Sequence, residues 1–202
     1  PSLNAASHPR VSYLQFLADY TQNRQLDAWA TWHVFTQDEN YLLKGDIRFR
    51  DFPDRFYGIG NNTSKSQEEK YSYNLFVLKS LQLKRIKPGF FVGFDYEFRS
   101  EFNFKLEPNG QLAAGSIIGS QGGIGSALGL VSIIDTRDNI INPYRGRYAE
   151  FSSYFFLPQL KSTFSFQTIN ATYQQYWQIK PKHILALQAK GRFTFGSVPF
   201  LD

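Results

Sequence analysis

Asp135, Arg137 and Asp138 bring two carboxylates and a guanidinium within four residues of one another. Two such carboxylates could serve as a general acid and a general base. Catalysis would also require a histidine, an activated serine or a set of metal ligands beside them, and none accompanies these residues. His8, His33 and His183 lie far apart and form no ligand-spaced pair. Cysteine is absent, which removes thiolate ligands, cysteine nucleophiles and disulfides. The glycine-rich run at residues 115–129, GSIIGSQGGIGSALG, is followed by no Lys-Ser or Lys-Thr and opens no helix, so it reads as a flexible loop entering a glycine-rich strand rather than a phosphate loop. No metal, no cofactor and no covalent chemistry is expected; the sequence reads as a non-enzyme.

A turn explains the same residues better. One strand ends at Asp135 and another begins near Arg147, with a polar, proline-containing hairpin between them. There Asp135, Arg137 and Asp138 can cross-link the turn by charge-assisted hydrogen bonds. Pro143 fixes one backbone angle, and Gly146 allows a conformation closed to other residues.

The elements that would hold this turn are strands. Apolar and polar residues alternate with period two from end to end, and no apolar stripe of helical period lasts beyond two turns. About nine strands are expected, near residues 10–20, 26–36, 41–51, 71–83, 89–104, 123–136, 146–156, 163–178 and 182–196. Their usual length, about ten residues or slightly more, suits a tilted strand crossing a bilayer. Hydrophobic residues make up 42% of the chain while mean hydropathy is −0.37, so the two kinds are interleaved. No window approaches the roughly 18 apolar residues of a membrane helix.

Each strand separates its residues onto two faces. In the third, Leu43, Ile47 and Phe49 oppose Lys44, Asp46, Arg48 and Arg50; in the fifth, Val92, Phe94, Tyr96 and Phe98 oppose Asp95, Glu97 and Arg99. In the last, Leu185, Leu187, Ala189, Phe193 and Phe195 oppose Gln188, Lys190, Arg192 and Thr194. A soluble sandwich alternates too, but the connections favour a barrel. The long ones, near residues 52–70 and 105–122, fall at one end, and the short ones, at 37–40, 85–89, 139–144 and 180–183, at the other, as in outer-membrane barrels. The expected fold is therefore all-β: an antiparallel transmembrane β-barrel of the bacterial outer membrane, with residues 1–202 forming a single partial barrel domain. Lys44, Arg48, Asp95, Glu97, Lys190 and Arg192 are the expected lumen-facing charges. Tyr20, Trp32, Tyr41, Tyr71, Tyr148, Tyr176 and Trp177, near strand ends, are candidates for interfacial girdles.

The expected partners are outer-membrane lipid and other outer-membrane or periplasmic proteins. A net charge of +5 invites an anionic partner, but the Lys and Arg are scattered through the strands with no single stripe, so nucleic acid is not expected. Absence of Met, even at position 1, and of a signal peptide at Pro1 leads to the expectation of an amino terminus that was processed or omitted.

The pattern Asp-x-Arg-Asp, then Pro-x-x-Gly and an aromatic-rich strand, carried by Asp135, Arg137, Asp138, Pro143, Gly146 and Tyr148, resembles the BamA/TamA family of outer-membrane barrels, also called the bacterial surface antigen family. PDRFYGIGNNT at 53–63 and GRFTFGSVPF at 191–200 are similar to the branch of that family found in Bacteroidetes-type bacteria. The resemblance implies a sixteen-stranded barrel, of which this chain supplies part, and a role in inserting or translocating outer-membrane proteins. It also places the family's inward-folded loop just after Phe200. Two other roles stay open: a passive channel or structural subunit of an envelope complex, and a membrane anchor for an enzyme domain.

Overall fold

The computed structural model describes residues 12–36 and 40–202. His8, the expected strand start at residues 10 and 11, and residues 37–39 lie outside them. The alternating sequence folds as β1 (Tyr13–Tyr20), β2 (Leu26–Phe35), β3 (Tyr41–Phe56), β4 (Glu69–Lys87), β5 (Phe90–Leu106), β6 (Gly123–Asp135), β7 (Gly146–Phe156), β8 (Phe166–Lys180) and β9 (His183–Gly196). Every strand pairs antiparallel with its sequence neighbours, in the order β1 to β9. Among the described residues β1 and β9 do not pair with each other, so the sheet is open. The helical turns there are two three-residue segments, and no helix is long and apolar enough to cross a membrane.

Four strands outrun their expected bounds, β8 by two residues to Lys180. β3 continues past Asp51 to Phe56 through Pro53. Proline cannot donate to a ladder, but β2 stops pairing at Leu26 opposite Asp51, so beyond that point one edge of β3 is open and the missing N–H is not needed. β4 begins at Glu69 and extends to Lys87, across a register shift between Arg85 and Lys87, which leaves only Pro88 and Gly89 as the turn. β5 continues to Leu106, with Asn103 in the left-handed region. The connections at 57–68, 107–122 and 157–165 lie at one end of the sheet; those after β2, β4, β6 and β8 lie at the other.

Cross-strand partners share a face, so the register carries face identity across the sheet. Lys44 stands beside Leu81, Leu81 beside Asp95, Asp95 beside Gly129, Gly129 beside Tyr154, and Tyr154 beside Thr168. All six expected charges fall on this one polar face. Its burial is the reverse of a soluble sheet's. Asp95 (5%), Ser152 (2%) and Thr168 (3%) are buried, while Phe94 (58%), Leu130 (52%) and Phe151 (51%), on the opposite face, are bare.

The polar face is concave. β5 and β9 are four strands apart, about 19 Å in a flat sheet, yet Arg99 of β5 and Arg192 of β9 both bind Asp202. Inside the curve, Leu42, Leu83, Phe91, Val131 and Ile133 cluster at the short-turn end. At the long-loop end Phe56, Tyr71, Tyr73 and Leu75 pack with Leu112, and Phe156 and Phe166 pack with Phe164. A polar waist lies between these apolar ends. Three of the expected girdle aromatics belong to the interior instead. Tyr71 is buried and stacks on Tyr73, Tyr148 lies beneath Arg137, and Tyr176 shares the polar face with Gln174. Strand-end position alone does not say which face a ring takes.

Candidate functional site

The polar waist is built by alternation in size as well as polarity. β6 presents Gly125, Ala127 and Gly129 to the polar face, and the larger side chains of β5 and β7 lie over them. A Cβ on Gly129 would come within 2.7 Å of the Tyr154 ring, and one on Gly125 within 2.7 Å of the Arg99 side chain. Across Gly129 the Tyr154 hydroxyl donates to Asp95 Oδ2 at 2.7 Å. Arg99 donates to Glu101 at 2.6 Å, to Asp202 at 3.1 Å and to the Leu201 carbonyl at 2.9 Å. Lys79 pairs with Glu97 at 2.9 Å, and Arg192 pairs with the other Asp202 oxygen. A cavity of about 270 Å³ remains among Glu97, Glu150, Asn170 and Arg192. Each of the three cations here has a carboxylate partner, while Asp95 and Glu150 accept from the hydroxyls of Tyr154 and Tyr148.

Residues 197–202 close it from above. Leaving β9, they turn back over the polar face. Phe200 meets Phe56 and Tyr71 with ring centroids 5.7 and 5.9 Å away, and its N–H donates to the Ile118 carbonyl at 3.0 Å. Glu69 secures the 107–122 connection by accepting from the backbone N–H groups of Gln111 and Leu112, at 2.6 and 3.2 Å.

The 135–146 turn is cross-linked throughout. Arg137 donates through Nε and Nη2 to the two oxygens of Asp135, both at 2.9 Å, and its guanidinium lies 4.7 Å over the Tyr148 ring. This pairing raises the Arg137 pKa above its already high ordinary value. Asp138 accepts from the N–H groups of Tyr144 and Arg145, at 2.9 and 3.2 Å. Gly146 has φ +99°, and a Cβ there would collide with the Thr136 carbonyl oxygen. Pro143 lies in the exposed bend between them. Both oxygens of Asp135 and Oδ1 of Asp138 serve the turn.

The expected charges divide into groups. Asp95, Glu97 and Arg192 meet at the waist. Lys44 lies with Asp135 and Arg137 around a smaller cavity of about 100 Å³ at the short-turn end. Arg48 stands apart, donating to Asp27 at 2.8 Å with its guanidinium over Trp29. Lys190 is beside Thr172, on the exposed last strand. Arg99 was expected on the charged face of its strand, while Lys79, Glu150, Tyr154 and Asp202 were not among the expected residues. Gly125 and Gly129 leave room for the Arg99 and Tyr154 side chains that lie over them.

A sheet with one bare apolar face and one concave, internally paired polar face defines a membrane-barrel segment. Residues 18–201 match the Omp85 superfamily domain, and the chain belongs to that superfamily. No curated protein and no solved structure matches it.

Proposed function

We propose that the chain forms part of a bacterial outer-membrane barrel of the BamA/TamA type, in the Bacteroidetes-type branch, that assembles or translocates outer-membrane proteins. The apolar face meets lipid, and the polar face, with Lys44, Arg48, Asp95, Glu97, Lys190 and Arg192, lines the lumen of a larger barrel. No covalent step is needed. Such a barrel works by offering strand edges and a polar interior to an incoming chain, because an unpaired edge templates another strand.

The observation that favours this over a passive channel is the inward fold of residues 197–202, which covers the waist and ties Asp202 to Arg99 and Arg192. A selective channel would keep a ring of unpaired charge along an open path. The reading is tested by depleting the full-length protein in its own host and measuring outer-membrane barrel proteins in isolated envelopes. Loss of several unrelated barrels supports it. Normal levels, with altered uptake of one solute, would establish the channel instead.

A further inference from the structure

The bases scattered along the sequence do not stay scattered when the strands pair. The turn between β4 and β5 is flanked by Lys84 and Lys87, that between β6 and β7 holds Arg145 and precedes Arg147, and that between β8 and β9 is flanked by Lys180 and contains Lys182. All six are exposed, and none forms an ion pair among the described residues. The acids of these turns, Asp135 and Asp138, are engaged within their own hairpin. By contrast, the three long connections at the other end balance Lys65 and Lys161 against Glu68 and Glu107. By sequence the connection after β2 carries Asp38 and Glu39, so the basic rim belongs to the β4–β9 side.

Three of these bases stand on the apolar face itself. Lys84 is in register with Val92, Val92 with Ser132, and Ser132 with the bare Phe151, so Lys84 shares Phe151's face. Lys87 pairs with Phe90, its ammonium 5.7 Å from the ring, and through Ile134 reaches Ala149, two residues from Arg147 on the same side of β7. Trp177, 43% exposed, continues this band on β8. Cations at the border of an oily surface extend their charge to the head-group level while their stems stay in the apolar layer.

We propose that this rim binds anionic phospholipid headgroups of the membrane leaflet at the short-turn end. The inference rests on the membrane reading given above. A lipid surface is favoured over an acidic protein because the bases are continuous with the lipid-facing surface and recur at every second strand, about 10 Å apart. A row of that kind fits separate phosphates along a boundary. Attraction of this type is screened by salt.

The test uses the full-length protein in phosphatidylcholine bilayers, with a trace of spin-labelled phosphatidylglycerol or spin-labelled phosphatidylcholine. The immobilised boundary fraction of each is measured. The native protein should prefer the anionic label roughly twofold or more at low salt, and Lys84→Gln/Lys87→Gln/Arg147→Gln/Lys182→Gln should bring that preference to parity. Conversion of two bases at a time guards against a variant that fails to insert. Equal immobilisation of both labels by the native protein, or an unchanged preference in the variants, overturns the proposal while leaving the membrane reading intact. Immobilisation of neither label would overturn the membrane reading itself.

Discussion

Tyr154 and Asp95 stand on strands that do not pair with each other, yet the tyrosine hydroxyl donates to the carboxylate at 2.7 Å across Gly129, the residue both of them flank in register. Asp95 is 5% exposed, and Tyr154 supplies its one side-chain hydrogen bond among the described residues. Tyr154→Phe keeps the ring over Gly129 and removes only the donor. It should destabilise the folded barrel by about 1–3 kcal/mol, read as a lower temperature for loss of the fast-migrating form on unboiled gels. Gly129→Leu should be worse, because it displaces the ring as well. An unaltered Gly129→Leu barrel would mean that the ring does not lie there.

The Asp135–Arg137 pair is bidentate, so charge and geometry both matter. Asp135→Asn should reduce folding yield and heat stability, and Arg137→Lys should do the same, because an ammonium cannot form the planar fork. Normal assembly of both variants with loss of a specific chemical activity would sink the structural role given to this turn.

Leu187 and Gln188 are adjacent and fall on opposite faces of β9. Arginine on a lipid-facing strand near the bilayer midplane costs roughly 2–4 kcal/mol, so Leu187→Arg should impair insertion much more than Gln188→Arg. Spin labels at the two positions give the direct readout. The label at 187 should be relaxed by a lipid-soluble agent and that at 188 by a water-soluble one. A label at 187 shielded from both agents would place it against protein.

Asp202 bridges Arg99, which is also paired with Glu101, and Arg192. Asp202→Asn leaves Arg192 without its carboxylate partner and Arg99 with Glu101 alone, and the 197–202 segment should loosen. Faster proteolytic cleavage after Ser197 in the folded protein, reversed by Arg192→Gln in the same chain, is the expected result. Cleavage at the native rate would show that Phe200 alone fixes the segment.

The nine strands and their facing were legible because alternation is a local signal, as in Val92 to Arg99. The ends of β3 and β4 were not. Pro53 resembles a turn signal and Arg85 to Lys87 read as part of the turn that Pro88-Gly89 forms, and only the register reveals that the edge beside Pro53 is open, or that a shift near Arg85 carries β4 on to Lys87. The Asp135 turn was visible because its partners lie within a dozen residues. The waist was not, since its pairs join Asp95 to Tyr154 and Arg99 to Asp202, and nothing local states which rows coincide. The charge rim escaped for the same reason: Lys84, Arg147 and Lys182 become neighbours only once the hairpins are folded.

The absence of crossovers has a consequence for how the chain may be divided. All sixteen residues of β3 are paired with β4, and the connection between them contributes nothing to that ladder. The covalent link at residues 57–68 is therefore a tether and not a joint. A protein nicked there should remain one object in the membrane, and two separately made fragments, each ending in an unpaired β3 or β4 edge, carry the complete instructions for finding each other.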